Sequence, residues 1–246
     1  MCTTVAKYID SNWFLAKTRD PVPWMRWDDE IKFFDSSADD RYAKWLIQNP
    51  DPKEDGYYGG INACGVAFTS TFVHVAENQI SYIRRPYVRL ILDAATAQEA
   101  LDIIQSFYPR IGGNMFVADE HACFGIEAVP EQYFVEKITT QAVKTNHFLK
   151  LPNRNLDFNS VDGYEKWSKD HYKRASELLD KATSIQNLHE LLKDRKNSET
   201  KTAICTTKAE DECCTHSAFI FDTKNKKAHY CQNNPLSNNF VGYAFK

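Results

Sequence analysis

The chain has 246 residues, 43% of them hydrophobic and 13% aromatic, enough to bury the core of one mixed α/β domain. Its 30 Lys and Arg against 33 Asp and Glu leave a net charge of −3, without the basic surplus that a nucleic-acid or anionic-membrane surface needs. No apolar run approaches the ~20 residues of a membrane span, and the opening residues lack the charged-then-apolar order of a signal peptide, so a cytoplasmic protein with a small-molecule or short-peptide partner is expected.

In chain order, Cys2 to Tyr8 and Trp13 to Arg19 are β-prone and flank the turn formers Asp10, Ser11 and Asn12, which predicts an N-terminal hairpin. A polar loop studded with Trp24, Trp27, Phe33 and Phe34 follows, then a short helix around Ala38 to Leu46. Gly56, Gly59 and Gly60 break the chain before a strand over Gly65 to Val75. Thr96 with Glu99 forms a capping box ahead of Ala100, Leu101, Ile103, Ile104 and Phe107 at helical spacing, and Pro109 ends that helix. Short strands are predicted over Met115 to Ala118, Cys123 to Val129, Tyr133 to Ile138 and Gln141 to Thr145.

The pattern then changes. Tyr164, Trp167, His171, Ala175, Leu178 and Ala182 mark one face of a long helix, and Thr183 with Gln186 caps a second that carries Leu188, Leu191 and Leu192. Ser217 to Asp222 and Lys227 to Cys231 are strands paired across a Thr-Lys-Asn-Lys turn. Strands, helices and strands again predict a layered α+β fold in a single domain over 1–246, not the regular alternation of a doubly wound sheet.

Seven scattered cysteines in a chain of this length are expected to be reduced thiols, with Cys64 and Cys123 as small buried hydrophobes. Cys205, Cys213, Cys214, His216, His229 and Cys231 are metal-ligand types. Adjacent Cys213 and Cys214 do not imitate a C-x₂-C knuckle, however, and alternation along a strand sends neighbours to opposite faces, so neither a metal site nor a cofactor is expected.

Cys2 follows the initiator methionine and is small enough for Met1 to be removed. Removal leaves a thiol with pKa near ~8.5 and an α-amino group near ~7.7 to 8.0 on one residue, which is a nucleophile together with its own base. Position two by itself points rather to an ordinary first-strand thiol.

Further stretches stand in a fixed order behind it: Leu15-Ala16-Lys17-Thr18-Arg19-Asp20 after the opening Met1-Cys2-Thr3-Thr4, Gly60-Ile61-Asn62-Ala63-Cys64-Gly65-Val66-Ala67, Asp119 through Glu127, and Thr145-Asn146-His147-Phe148 with Arg174 beyond it. This order resembles the linear-amide hydrolases of the N-terminal-nucleophile superfamily: penicillin V acylase, bile salt (choloylglycine) hydrolase and the acyltransferase that makes penicillins. The resemblance implies a four-layer αββα sandwich with Cys2 at the end of a central strand, facing a pocket. It implies that Asp20 orients the α-amino group, that Asn146 donates to the oxyanion or holds the amine, and that Arg174 polarises the nucleophile region.

Each of these also has a plain structural reading. Asp20 before Pro21 can begin a turn, Asn146 can cap a loop, and Arg174 at the edge of the helical stripe can reach water. There are departures from the pattern too: Lys17 stands for the usual arginine, Thr18 for an asparagine, and His171 for a serine three residues before the arginine. Late in the Gly65 to Phe72 strand Thr69, Ser70 and Thr71 replace the oxyanion asparagine, leaving Thr71 or a backbone N–H for that role.

The implied activity is cleavage of a linear amide C–N bond through an acyl-thioester on Cys2, without a cofactor. Acyl transfer follows if an amine replaces water, and a non-catalytic ligand-binding relative is the third reading. Trp24, Trp27, Phe33 and Phe34 are candidates for a substrate wall, or else a satellite core cluster, with Thr71 and His147 as further substrate-binding candidates. The chain is shorter than typical bile salt hydrolases, which argues against a steroid-sized pocket, and the sequence is compatible with a homo-oligomer.

Overall fold

The computed structural model describes residues 2–21, 29–50, 56–73, 85–130, 132–151, 164–196, 198, 203–207 and 214–245. The predicted first hairpin is present as β1 (Thr3–Ile9) and β2 (Asn12–Arg19). Asp10 and Ser11 make its two-residue turn, both at positive φ (50° and 58°), the geometry whose twist suits a tight antiparallel hairpin.

Nine strands follow that fall on the predicted segments or between them: β3 (Glu30–Phe34), β4 (Lys44–Gln48), β5 (Tyr57–Asn62), β6 (Ala67–Thr71), β7 (Gly113–Ala118), β8 (Cys123–Val129), β9 (Gln132–Ile138), β10 (Gln141–Lys144) and β11 (Ser217–Asp222). β12 (Lys227–Gln232) and β13 (Val241–Ala244) complete the set. One sheet runs β10-β1-β2-β11-β12-β13 and the other β3-β4-β5-β6-β7-β8-β9, every pair antiparallel.

Side-chain alternation builds the layers. Ala6, Trp13, Leu15, Phe219 and Phe221 point between the sheets and meet Ile61, Ala67, Phe116 and Ala118 of the second sheet. Their neighbours Val5, Ala16, Ala218 and Ile220 point outward under α3 (Tyr164–Leu179) and α4 (Ile185–Leu192). The outer face of the second sheet, with Leu46, Phe68, Met115 and Ile126, is covered by α1 (Arg85–Ile91) and α2 (Ala97–Ser106). The fold is therefore the expected four-layer αββα sandwich.

Several local expectations are corrected. Residues around Ala38 to Leu46 form no helix: a turn in which Asp39 N donates to Ser37 Oγ leads into β4, where Trp45, Leu46 and Ile47 pair with β3 and β5. Phe33 and Phe34 belong to β3, not to a loop. Gly59 and Gly60 lie inside β5, because a Cβ on Gly59 would fall 2.7 Å from the Phe219 ring and one on Gly60 2.6 Å from Leu92. The helix α1 has no counterpart among the predicted elements. Thr96 caps α2 as expected, accepting from Glu99 N, but α4 is capped by Ser184, one residue after Thr183. The buried stripe of α3 is Ser168, His171, Ala175 and Leu179, with Trp167 and Leu178 half-buried beside it.

Candidate active site

Register places the candidate residues. β10 pairs with β1 so that Lys144 faces Thr4, and two residues further the same register sets Asn146 against Cys2. On the other side Thr3 faces Thr18, which sets Arg19 against Cys2 and Asp20 just beyond. The Cys2 nitrogen donates to Asn146 Oδ1 at 2.8 Å. Asn146 Nδ2 in turn donates to Phe72 O at 2.7 Å, beyond the end of β6, so this one side chain bridges the two sheets beside the cysteine.

Cys2 is half-buried and its thiol is free. By alternation its side chain shares the inner face of β1 with Thr4, whose hydroxyl crosses to Thr69 Oγ1 at 2.9 Å.

The segment after β10 is held from every side. Asn114 Nδ2 donates to Thr145 O (2.8 Å) and His147 O (3.0 Å), and Thr71 Oγ1 donates to Thr145 O at 2.6 Å. Further along, the buried Glu127 carboxylate accepts from the backbone N–H groups of Leu149, Lys150 and Leu151 at 2.9 to 3.1 Å and pairs with buried Lys144 Nζ at 3.0 Å. Burial alone would raise the Glu127 pKa; the Lys144 charge and the three N–H donors more than offset that and hold it below the ordinary carboxylate range.

Cations converge on the inner face. Lys17 Nζ is bound by Ser70 O and, at 3.4 Å, by Tyr58 O, and lies 5.6 Å from the Tyr58 ring centre. Burial lowers the Lys17 pKa; Arg19 pushes the same way, while Cys2, Asp29 and Asp20 oppose it. Arg19 stacks on Tyr58 at 3.7 Å, donates to the Tyr58 hydroxyl at 2.6 Å and pairs with buried Asp29 at 2.7 Å. Burial raises the Asp29 pKa against the pull of Arg19 and of a hydrogen bond from Ser217.

Cys2, Asp20 and Asn146 thus gather at one end of the first sheet, with Asp20 buried at the close of β2. Arg174 is engaged elsewhere: Nε and Nη2 fork onto the two oxygens of Asp194 at 2.9 and 2.6 Å, and Nη1 reaches Glu177 at 3.3 Å. Thr71 spends its hydroxyl on Thr145 O, and His147 is buried with Nδ1 on Ser168 Oγ at 2.7 Å, so both build the segment around Asn146. Trp24 and Trp27 lie outside the described residues.

Of the possible zinc ligands, Cys205, Cys214 and Cys231 are buried and form no disulfide, and Cys213 is outside the described residues. Sequence reasoning passed over Ser168 and Glu127. The signal for Ser168 is a serine at a phase of α3 that packing reserves for an apolar side chain.

The sequence profile of the acyl-coenzyme A:6-aminopenicillanic acid acyl-transferase family matches residues 32–237. The chain belongs to that family. No curated protein matches the sequence. Among solved structures, penicillin V acylase from Agrobacterium tumefaciens is similar over 100% of this chain and 86% of its own, with a TM-score of 0.62 at 12% identity. A conjugated bile acid hydrolase from Clostridium perfringens gives 0.59 at 12% identity over 100% and 97% of the two chains. A Caenorhabditis elegans ortholog of N-acylethanolamine-hydrolyzing acid amidase gives 0.54 at 12% identity over 89% and 92%. At such identity the likeness is one of fold, and that fold is the αββα sandwich of N-terminal-nucleophile hydrolases. None of the described helices is long and apolar enough to cross a membrane.

Proposed function

We propose that this family member cleaves a linear amide C–N bond of a small N-acyl or peptide-like substrate, with Cys2 as nucleophile and its own α-amino group as base. The observation that carries this reading is the 2.8 Å bond from the Cys2 nitrogen to Asn146 Oδ1. While Met1 is attached that nitrogen is a peptide N–H with no usable basicity. Once Met1 leaves, the same atom is an amine already aligned by a buried, neutral acceptor.

In the first step the thiol proton passes to the amine and the sulfur attacks the amide carbonyl. The tetrahedral intermediate collapses as the leaving amine takes that proton, which leaves an acyl-thioester on Cys2. Water then adds to the thioester, the thiol leaves, and the acid is released. Lys17, on the same inner face as Cys2, is held over the site by the carbonyls of Ser70 and Tyr58. Asp20 supplies the acceptor that keeps the protonated amine in place, and a donor to the developing oxyanion is worth roughly 3 to 4 kcal/mol of barrier. Arg174 we assign to the packing of α3 through Asp194 and not to the reacting atoms.

The match to a family described as acyl-transferases favours a second reading in which an amine takes the place of water in the last step. Mass spectrometry of the processed protein after exposure to a series of N-acyl amides tests the proposal. An acyl adduct on the N-terminal peptide, absent in Cys2→Ala, is expected; a Cys2→Ala protein that still turns over would exclude the mechanism, and a protein that binds but never acylates is a ligand-binding relative.

A further inference from the structure

Asn146 is itself set in place by a residue of the outer helical layer. Its main-chain N–H donates to Ser168 Oγ at 2.9 Å, and Ser168 is only 1% exposed. The same hydroxyl lies 2.7 Å from His147 Nδ1, while Thr145 Oγ1 donates to Ser168 O at 3.1 Å. All three residues of the Thr145-Asn146-His147 run therefore hang on one serine. The hydroxyl is a shared node: it accepts from Asn146 N–H, donates to Thr145 Oγ1 at 3.1 Å, and meets His147 Nδ1 in a contact whose direction follows the imidazole tautomer.

One turn further along α3, His171 Nδ1 meets Thr3 Oγ1 at 3.4 Å. The helix thus touches both partners of the Cys2–Asn146 bond, the asparagine on one side and the strand that carries the cysteine on the other. Packing does not account for a serine there. The rest of the buried stripe is His171, which meets Thr3, and Ala175 and Leu179, which fill the space over β1; an apolar side chain at 168 would bury more area without needing partners.

We propose that Ser168 is a positioning residue of the reaction: by fixing the backbone of Asn146 it holds Oδ1 against the Cys2 nitrogen and sets the direction of the α-amino base. This rests on the reading of Cys2 as nucleophile and base. A displacement of about 1 Å at a reacting group costs about 100-fold in rate, so removal of the hydroxyl is expected to slow acylation by about 10- to 100-fold.

The test uses 4-nitrophenyl acetate as the acyl donor, which needs no knowledge of the natural substrate. Protein freed of Met1, verified by intact mass, is assayed for 4-nitrophenol release as wild type, Ser168→Ala, Asn146→Ala and the double variant, each corrected for the rate of Cys2→Ala. The expected result is a 10- to 100-fold loss in Ser168→Ala that vanishes in the Asn146→Ala background, because the serine acts through the asparagine. Losses that multiply in the double variant, or a Ser168→Ala rate equal to wild type, overturn the assignment. Equal rates in wild type and Cys2→Ala would sink the nucleophile reading itself, and the role of Ser168 with it. Circular dichroism checks the fold. Should Ser168→Ala not fold, Ser168→Cys, of nearly the same size but a weaker acceptor, is judged by the same comparison and is expected to show a smaller loss in the same direction.

Discussion

Glu127→Gln probes the scaffold under the candidate site with one change of nearly constant volume. In the wild type the carboxylate is fully buried, pairs with Lys144 at 3.0 Å, and collects the N–H groups of Leu149, Lys150 and Leu151. Gln removes the charge, leaves the buried Lys144 ammonium with only the half-buried Glu136 carboxylate at 4.0 Å, and turns an NH₂ group towards donors that have nothing to give it. Breaking a buried pair by removing one partner costs about 3 to 5 kcal/mol, a large share of a total stability of about 5 to 15 kcal/mol. At about 2 to 4 °C per kcal/mol for a chain of this size, Tm should fall by about 6 to 20 °C.

Differential scanning calorimetry at pH 7 measures this. Adding Lys144→Met should recover part of the loss, since it removes the buried charge. The sign of the pH dependence is also set. Burial opposes ionisation of Glu127 but Lys144 and the three N–H groups overcome it, so its folded pKa lies below the unfolded value of about 4.3. Its contribution is therefore present above that value and is lost as pH falls through the folded pKa. The Tm gap between wild type and Glu127→Gln should close on acidification. A Tm within about 2 °C of wild type at pH 7 would refute the account of the Glu127 nest.

Two other predictions concern the site directly. A protein with Met1 retained, or with an uncleaved tag before Cys2, is expected to fold but not to turn over, because an amide nitrogen cannot serve as base; proteolytic release of Cys2 should restore activity, and full activity in a folded, verifiably blocked protein would rule out the amine as base. Arg174→Ala should lower Tm by a few degrees, as should Asp194→Asn, while kcat per folded molecule falls far less than in Cys2→Ala; a loss of turnover equal to that of Cys2→Ala would return Arg174 to the reacting centre.

The elements legible in the sequence were those whose periodicity and boundaries agree. The β1–β2 hairpin has β-prone runs on both sides of Asp10 and Ser11, and α2 has Thr96 and Glu99 ahead of a clean apolar stripe. The misread segments are those where tertiary pairing overrides local preference. Gly59 and Gly60 punctuate a chain when read alone, yet in the fold their missing side chains make room for Phe219 on one face and Leu92 on the other. Residues Ala38 to Leu46 have a helical look that loses to strand pairing of Trp45, Leu46 and Ile47 between two neighbours.

The site divides along the same line. Cys2 stands out as a candidate because thiol and amine would sit on one residue, but position two alone is also that of a first-strand thiol, and only the ordered motifs behind it turn the reading. Asn146 was readable only through a resemblance, since nothing near it in sequence points to Cys2; what joins them is the β1–β10 register, a contact across 144 residues. Ser168 and Glu127 stand one step further out. Each contacts the segment that carries Asn146 and not the cysteine, so each is visible only when the polar bonds of a buried segment are followed to their ends. That ordering has a physical cause. A nucleophile needs a particular atom, whereas the groups that hold it need only the right donor or acceptor at the right place, and several residue types on several elements can supply that. The identity of the supporting residues is thus set by topology, and here the topology hands the task to one serine on an apolar helix face and one carboxylate beneath a loop.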